Sequence, residues 1–329
     1  MLQETAAGLF CPAGGFFIDP WQPVDRALIT HAHGDHARPG SAAYLCTPGT
    51  AALLRRRLGS DAVIETIEYG SSLRTGDVTV RFHPAGHVLG SAQIRIEGAD
   101  GVWVVSGDYK RAPDPTCAPF EPVTCDTFIT ESTFGLPIYR WDDTAAVMRD
   151  IVAWWDANRE AGRTSVIFCY TLGKAQRLLA ELAVLTERVV HVHGMMLGMI
   201  DAYREAGVTL PEVKHVTEVK GRALAGELVL APLSARGTPW MRRLGTHADA
   251  FASGLMRVRG VRRQRAYDRG LVISDHADWP ALLQTISETG AHRVLSTHGH
   301  AEPFARYLQA QDLEAGVIRT AWEGEPSGD

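Results

Sequence analysis

Cysteine is scarce in this chain: five residues in 329 (Cys11, Cys46, Cys117, Cys125 and Cys169), with no C-x-x-C pair among them. The odd number and the spacing exclude a disulfide framework and a thiolate zinc cage, so buried reduced thiols are expected. Long apolar runs are missing too. No stretch approaches the roughly 20 consecutive apolar residues that a membrane helix needs, and Met1 to Phe10 has neither the basic lead nor the apolar run of a secretory signal. No membrane association is expected, and the chain reads as cytoplasmic. Internal repeats and low-complexity tracts are also lacking, which excludes solenoids and flexible arrays. What remains, 45% hydrophobic and 22% charged residues, is an ordinary soluble globular composition with enough length for one large domain or two.

The net charge of −5 gives no hint of a polyanionic partner, but its distribution does. Residues 236–269 hold nine arginines (236, 242, 243, 257, 259, 262, 263, 265 and 269), no lysine and no glutamate, and only Asp249 and Asp268 to offset them. That segment is +7 in a chain whose remainder is −12. Guanidinium forks match phosphate oxygens bidentately, and a run this poor in acids concentrates positive potential where a nucleic-acid backbone docks. The plainer alternative is a solvated helix face, which usually mixes signs.

Short strand-like runs dominate the first third: Arg26 to Thr30, Val78 to Phe82, Gln93 to Glu97, Val102 to Ser106 and Thr127 to Thr130, with a helix over Thr50 to Leu58. From Trp141 the pattern alternates between helix and strand, the signature of a parallel α/β unit. Helices are expected over Asp142 to Arg159, Lys174 to Leu185 and Gly198 to Ala206, and strands over Ser165 to Tyr170, Val189 to Val192 and Glu227 to Ala231. Strand Leu271 to Ser274, helix Trp279 to Thr289, strand Arg293 to Thr297 and helix Glu302 to Ala310 follow, with a frayed tail after Glu323. A β-rich start, an α/β middle and a βαβα end predict a domain inserted into another.

The most specific feature is His31-Ala-His33-Gly-Asp35-His36, directly after a predicted strand. At this composition a chance H-x-H-x-D-H arises in about one chain in a thousand. Four liganding side chains in six residues cannot all reach one ion, so His31 and His33 are expected on one metal while Asp35 and His36 turn to a second. Imidazole and carboxylate donors suit Zn²⁺, Mn²⁺ or Fe²⁺. Further candidates lie just past other predicted strands: His87, Asp108, His276 and His298, with Asp19 after Phe16-Phe17-Ile18. Loops at one edge of a rigid sheet are where separate segments converge on a site.

The order Asp19, His31-x-His33-x-Asp35-His36, His87, Asp108, His298 resembles the motifs of the metallo-β-lactamase superfamily. Within it, Thr130-Glu131-Ser132-Thr133-Phe134-Gly135 resembles motif A of the β-CASP nucleases, Ser274-Asp275-His276-Ala277-Asp278 their motif B, and His298 their motif C. Phe17-Ile18-Asp19-Pro20-Trp21-Gln22-Pro23-Val24 and Ser253-Gly254-Leu255-Met256-Arg257-Val258-Arg259-Gly260 are similar to the bacterial ligase-associated DNA exonucleases. The resemblance implies an α/β fold, a metallo-β-lactamase αββα sandwich from residues 1–133 and 272–329, with an inserted β-CASP domain from 134–271 capping the metal cleft.

Carried over residue by residue, the resemblance puts His31, His33 and His87 on one divalent metal (Zn or Mn) and Asp35, His36 and His298 on a second, with Asp108 bridging. Asp19 would orient ligand histidines, and His276 with Glu131 would form the acid pair. Catalysis would then involve Asp35, Asp108, His276 and Glu131, while Arg257, Arg259, Arg262, Arg263 and Lys174 would contact nucleic acid. The implied activity is a metal-dependent DNA exonuclease that hydrolyses phosphodiester bonds by a two-metal-activated hydroxide, in end processing and repair. Its substrate would be DNA, single-stranded or with single-stranded ends, and an ATP-dependent DNA ligase and a helicase would be functional associates. The alternative is an RNA-processing β-CASP ribonuclease. A small-molecule hydrolase would have no use for the insertion or the arginines, and a catalytically dead scaffold would not keep every ligand.

Overall fold

The computed structural model describes residues 1–218 and 224–319; the tail after Glu323 lies outside them. The chain begins with β1 (Gln3–Thr5), β2 (Gly8–Cys11), β3 (Phe16–Ile18), β4 (Arg26–Leu28), β5 (Ala43–Cys46), α1 (Pro48–Leu58) and β6 (Ile64–Thr66). Next come β7 (Ser72–Thr75), β8 (Val78–Pro84), β9 (Ala92–Gly98), β10 (Gly101–Val105) and β11 (Thr127–Glu131). The middle holds α2 (Thr144–Glu160), β12 (Thr164–Phe168), α3 (Lys174–Ala183), β13 (Val190–Val192), α4 (Gly194–Glu205) and β14 (Val213–His215). It continues through β15 (Leu228–Ala231), β16 (His247–Ala252), α5 (Arg259–Arg265) and β17 (Arg269–Leu271). The last described elements are α6 (Trp279–Thr289), β18 (Arg293–Thr297), α7 (Ala301–Gln309) and β19 (Glu314–Val317).

Two compact units share these elements. Among the described residues, one holds Met1–Pro137 and 276–319, and the other holds Ile138–Asp275. In the first, a sheet of order β1-β2-β3-β4-β5-β6 faces a sheet of order β19-β18-β11-β10-β9-β8-β7. Strand alternation builds this sandwich. Trp103, Val105 and Ile129 point towards Phe16, Ile18, Leu28 and Leu45 of the other sheet. Their neighbours Val104 and Phe128 point the opposite way, onto Trp279, Leu282, Ile286, Phe304 and Leu308 of α6 and α7. α6 is delimited by standard chemistry: Asp278 accepts from Ala281 N at 3.0 Å as N-cap, Pro280 sits in the first turn, and Gly290 ends the helix at φ 65°. The terminal aspartate of Ser274-Asp275-His276-Ala277-Asp278 is therefore a helix cap.

The second unit is a parallel sheet of order β14-β13-β15-β12-β16-β17. Its central strand β12 is buried throughout, as expected of a parallel strand covered on both faces. Ile167 and Cys169 meet α2, α3 and α4 through Trp155, Leu178 and Ile200, while Val166 and Phe168 meet Leu244, Phe251 and Met256 on the other side. Among the described residues, no helix is long and apolar enough to cross a membrane.

Some boundaries differ from expectation. The strand expected over Leu271 to Ser274 lies at Arg269–Leu271, because its pairing is with Ala250, Phe251 and Ala252. α4 starts at Gly194, four residues before the predicted Gly198, because the His193 side chain accepts from Met195 N and caps the helix. Trp155 anchors the second core: it is fully buried and its Nε1 donates to Gly226 O at 2.9 Å. Trp155→Ala is expected to cost roughly 3–5 kcal/mol through the cavity it leaves, and Trp155→Phe about 1–3 kcal/mol through the lost hydrogen bond. Urea midpoints followed by circular dichroism check both, and equal costs for the two would refute this division.

Candidate metal centre

β10, β11 and β18 run parallel, so their C-terminal ends share one edge of the sheet. Asp108 lies just past β10, Glu131 ends β11, and His298 follows β18. From the facing sheet, the segment after β4 delivers His31 to His36 in a tight loop. His33 O accepts from the backbone N–H of His36 (3.2 Å) and Ala37 (2.9 Å), and Arg57 of α1 donates to Ala32 O at 2.7 Å and Ala37 O at 3.3 Å. His87 sits in a loop closed by Ser91, whose Oγ accepts from His87 N at 3.0 Å and Val88 N at 3.2 Å. Gly86 has φ +73°, and a Cβ there would lie 2.3 Å from Lys110 O, so this turn requires glycine.

Three groups of donors result, each with its ligand atoms within 4.8 Å of one another: His31, His33, His87 and Asp108; Asp35, His36 and His298; Asp108, Glu131 and His276. His33 Nδ1 lies 3.1 Å from both His31 Nε2 and His87 Nε2. Asp108 Oδ2 is 3.5 Å from His31 Nε2, 3.5 Å from His36 Nε2 and 3.8 Å from His87 Nε2. That one carboxylate thus reaches the first two groups. Asp35 Oδ2 is 3.8 Å from His36 Nε2, and the His36 and His298 rings stack with centroids 4.9 Å apart.

The atoms of the donor set themselves fit divalent cations. Asp35 Oδ1, His36 Nε2 and Asp108 Oδ1 are buried without a hydrogen-bond partner. Leaving three such atoms unpaired would cost several kcal/mol. All donors are nitrogen or oxygen, a set that suits Zn²⁺ or Mn²⁺. Burial, reinforced by the nearby His36, pushes the His31 imidazole well below 6.5, and burial lowers His298 as well. These two rings are neutral at physiological pH, the form that ligates. Burial opposes the ionised form of Asp108, but His36 and His276 outweigh it and hold the carboxyl well below its usual range. Burial likewise opposes a charged His36, and Asp108 and Asp35 overcome it, raising that imidazole well above 6.5. A bound cation would displace that proton.

Asp19 supports the loop from behind. Its Oδ2 is 2.8 Å from His36 Nδ1, and the carboxylate accepts from Thr30 N (2.8 Å) and Thr30 Oγ1 (2.5 Å). Both Asp19 (φ 42°) and His298 (φ 57°) hold left-handed backbone, a conformation that costs free energy and collects at functional sites. His276 Nδ1 lies 2.9 Å from Glu131 Oε2, and Glu131 Oε1 accepts from Tyr109 N at 2.8 Å. Sequence reasoning missed the hydroxyls that pin these ligands. Thr30 Oγ1 is 3.1 Å from His31 Nδ1, Thr297 Oγ1 is 3.1 Å from His298 Nδ1, and Ser132 Oγ donates to His298 O at 2.6 Å. The available signal was a hydroxyl residue directly before a ligand in two cases, and none for Ser132.

The expected nucleic-acid contacts lie in the second unit. Arg259 and Arg263 are exposed on α5, a helix with no buried residue. Arg257 pairs with Asp142 at 3.2 Å, and Arg262 Nε donates to Met256 O. Arg236 and Arg269 are paired with Asp249 (2.9 Å) and Asp150 (3.3 Å), so part of the segment's charge is already neutralised. The whole chain holds only four lysines, so their absence from this segment carries little weight. Lys174, expected on a phosphate, is 1% exposed, with Nζ 3.4 Å from Asp275 Oδ2, because its strand-to-helix turn faces the buried acid and not solvent.

Thr30→Val keeps the side-chain shape but removes the hydroxyl shared by Asp19 and His31. It is expected to weaken metal binding about 10–100-fold, the usual effect of losing a group that orients a ligand. Calorimetric titration with Mn²⁺ and Zn²⁺ checks this, and unchanged affinity would show the hydroxyl to be incidental.

No family model matches the chain. It is 32% identical over 313 residues, 94% of its length, to a protein named "Probable DNA ligase" from Opitutus terrae, of which it spans 30%. It is 26% identical over 218 residues to "Ribonuclease TTHA0252" from Thermus thermophilus, covering 58% of this chain and 48% of that one. The chain thus spans from about a third to about half of these relatives. A crystal structure of a protein of unknown function from Enterococcus faecalis V583 shares the fold with TM-score 0.56 and 13% identity, over 91% of this chain and 80% of that one. Joined to the histidine and aspartate centre described above, these relationships mean that the chain belongs to the metallo-β-lactamase superfamily, among its β-CASP nucleases and near the ligase-associated ones.

Proposed function

We propose that the chain is a metal-dependent DNA exonuclease that trims ends for repair. The observation that carries this reading is Asp108, whose Oδ2 lies within 4 Å of His31, His36 and His87 and 3.9 Å from His276. One carboxylate joining two donor groups beside an imidazole–carboxylate pair suits phosphodiester hydrolysis. In this reading residues 1–133 and 272–329 form the αββα sandwich and 134–271 the inserted β-CASP domain. The two compact units, which change over at Pro137/Ile138 and Asp275/His276, support it.

His31, His33 and His87 would hold one cation, Asp35, His36 and His298 the other, and Asp108 both. Bound there, two divalent ions supply Lewis acidity toward the non-bridging phosphate oxygens and lower the pKa of water. Asp19 and Thr30 keep the His36 and His31 rings in register for this. The attacking water gives up a proton to solvent and forms a new bond to phosphorus while the bond from phosphorus to the leaving sugar oxygen breaks. That oxygen needs a proton. Glu131, itself fixed by Tyr109 N, engages His276 Nδ1, so Nε2 is the ring nitrogen that gives its proton to the leaving oxygen.

Support for DNA comes from the ligase-named relative, in which a segment similar to 94% of this chain shares a polypeptide with about twice as much additional sequence. Joining end trimming to end sealing makes physical sense, and a ligase is accordingly the proposed functional partner. The ribonuclease-named relative favours the second reading, RNA. Donor chemistry does not separate them, since neither uses the 2′-hydroxyl. Arg259 and Arg263 are the proposed backbone contacts, with Arg257 and Arg262 beside them.

End-labelled single-stranded DNA and RNA of one sequence, digested with Mn²⁺, Zn²⁺ or chelator, test the proposal. Stepwise metal-dependent loss of DNA is expected, reduced at least 100-fold in Asp35→Ala/His36→Ala. Arg259→Ala/Arg263→Ala should lower the slope of log affinity against log salt by about two. Cleavage of RNA alone would replace this reading with the second, and cleavage of neither would overturn both.

A further inference from the structure

The last two residues of the second unit, Ser274 and Asp275, are held by a buried ionic cluster that the metal chemistry does not explain. Arg177 Nη1 donates to Ser274 O at 2.7 Å and lies 3.3 Å from Asp275 Oδ1. Lys174 Nζ lies 3.4 Å from Asp275 Oδ2. Arg177 is in turn fixed by Glu181 Oε1 (3.1 Å from Nε) and Thr144 Oγ1 (3.2 Å from Nη2). Lys174, Arg177 and Asp275 are 1%, 3% and 4% exposed. The turn that presents them is rigid: Gln176 Oε1 accepts from Gly173 N at 2.8 Å, and its Nε2 donates to Thr171 O at 2.9 Å.

Buried ion pairs seldom add net stability, because desolvation offsets their attraction and packed apolar residues do as well. A cluster that places both oxygens of one carboxylate and the preceding carbonyl against fixed cations does something else: it sets the position and direction of the backbone there. The next residue is His276. Its imidazole meets Glu131 within 2.9–3.1 Å, and a displacement of about 1 Å at such a group is enough to cost on the order of 100-fold in rate.

We propose that Lys174 and Arg177 are positioning residues for His276, acting through Ser274 and Asp275 across a single peptide bond. The inference rests on the nuclease reading, with His276 as proton donor. It also gives a role to the turn over residues 170–176, which closes on an aspartate of its own chain.

The test uses leaving groups. A deoxynucleotide diester needs a proton on its departing oxygen, whereas bis(p-nitrophenyl) phosphate does not. Asp275→Asn, Lys174→Met, Arg177→Met, Arg177→Lys and His276→Ala are compared on both substrates, with metal content and circular dichroism measured on each. For Asp275→Asn and Lys174→Met, kcat on DNA is expected to fall about 10- to 100-fold with KM within about twofold. Their metal content should be unchanged and their rate on bis(p-nitrophenyl) phosphate near that of wild type. Arg177→Lys should recover part of what Arg177→Met loses. Asp275→Asn keeps the side-chain shape and carries the test if the other variants fail to fold. Equal losses on both substrates, while His276→Ala is rescued by the better leaving group, would overturn the positioning role alone. A His276→Ala enzyme as active as wild type on DNA would remove the acid itself, and this proposal with it.

Discussion

Donors that cannot satisfy one another dominate this molecule. Around Asp108 lie six imidazoles and two further carboxylates, several of them within 4 Å and most of them buried. Imidazole nitrogens 3.1 Å apart can share only one proton in a hydrogen bond, and buried carboxylate oxygens without partners are costly. Only a cation relieves such an arrangement fully. The surrounding structure therefore has to hold these groups together against their own preference, and much of the first unit does that.

The means are local and redundant. Arg57 clamps the His31 to His36 loop at two carbonyls, Ser91 closes the loop of His87, and Ser132 seizes the carbonyl of His298. Asp19 and Thr30 tie the first loop to the second donor group. Parallel strands β10, β11 and β18 bring Asp108, Glu131 and His298 to one edge, so the sandwich core fixes their spacing before any ligand arrives. Left-handed backbone at Asp19 and His298 is strain that this framework absorbs.

The histidine and aspartate cluster was legible because four of its members fall within six residues, a pattern that chance seldom produces. The seven-residue β8 and β9, the five-residue β11 and the helices α2 and α6 were legible from their residue patterns. β5, β6 and β7 were not, being only three or four residues long and of mixed composition. β16 was hidden differently: His-Ala-Asp-Ala-Phe-Ala has weak strand propensity and becomes a strand by burial between β12 and β17. Lys174 shows the limit most clearly. It was expected to contact nucleic acid, and only the fold brings Asp275, about 100 residues away in sequence, onto its ammonium. Ser132 was invisible for the same reason, since a serine gains its role from the carbonyl it meets.

The proposed chemistry turns on Asp108 being shared by two cations. Anomalous diffraction from crystals grown with Mn²⁺, and separately with Zn²⁺, tests it most directly. Two peaks about 3.5–4 Å apart are expected, one among His31, His33 and His87, the other among Asp35, His36 and His298, with Asp108 between them. A single peak at full occupancy, or two peaks neither of which touches Asp108, would contradict it.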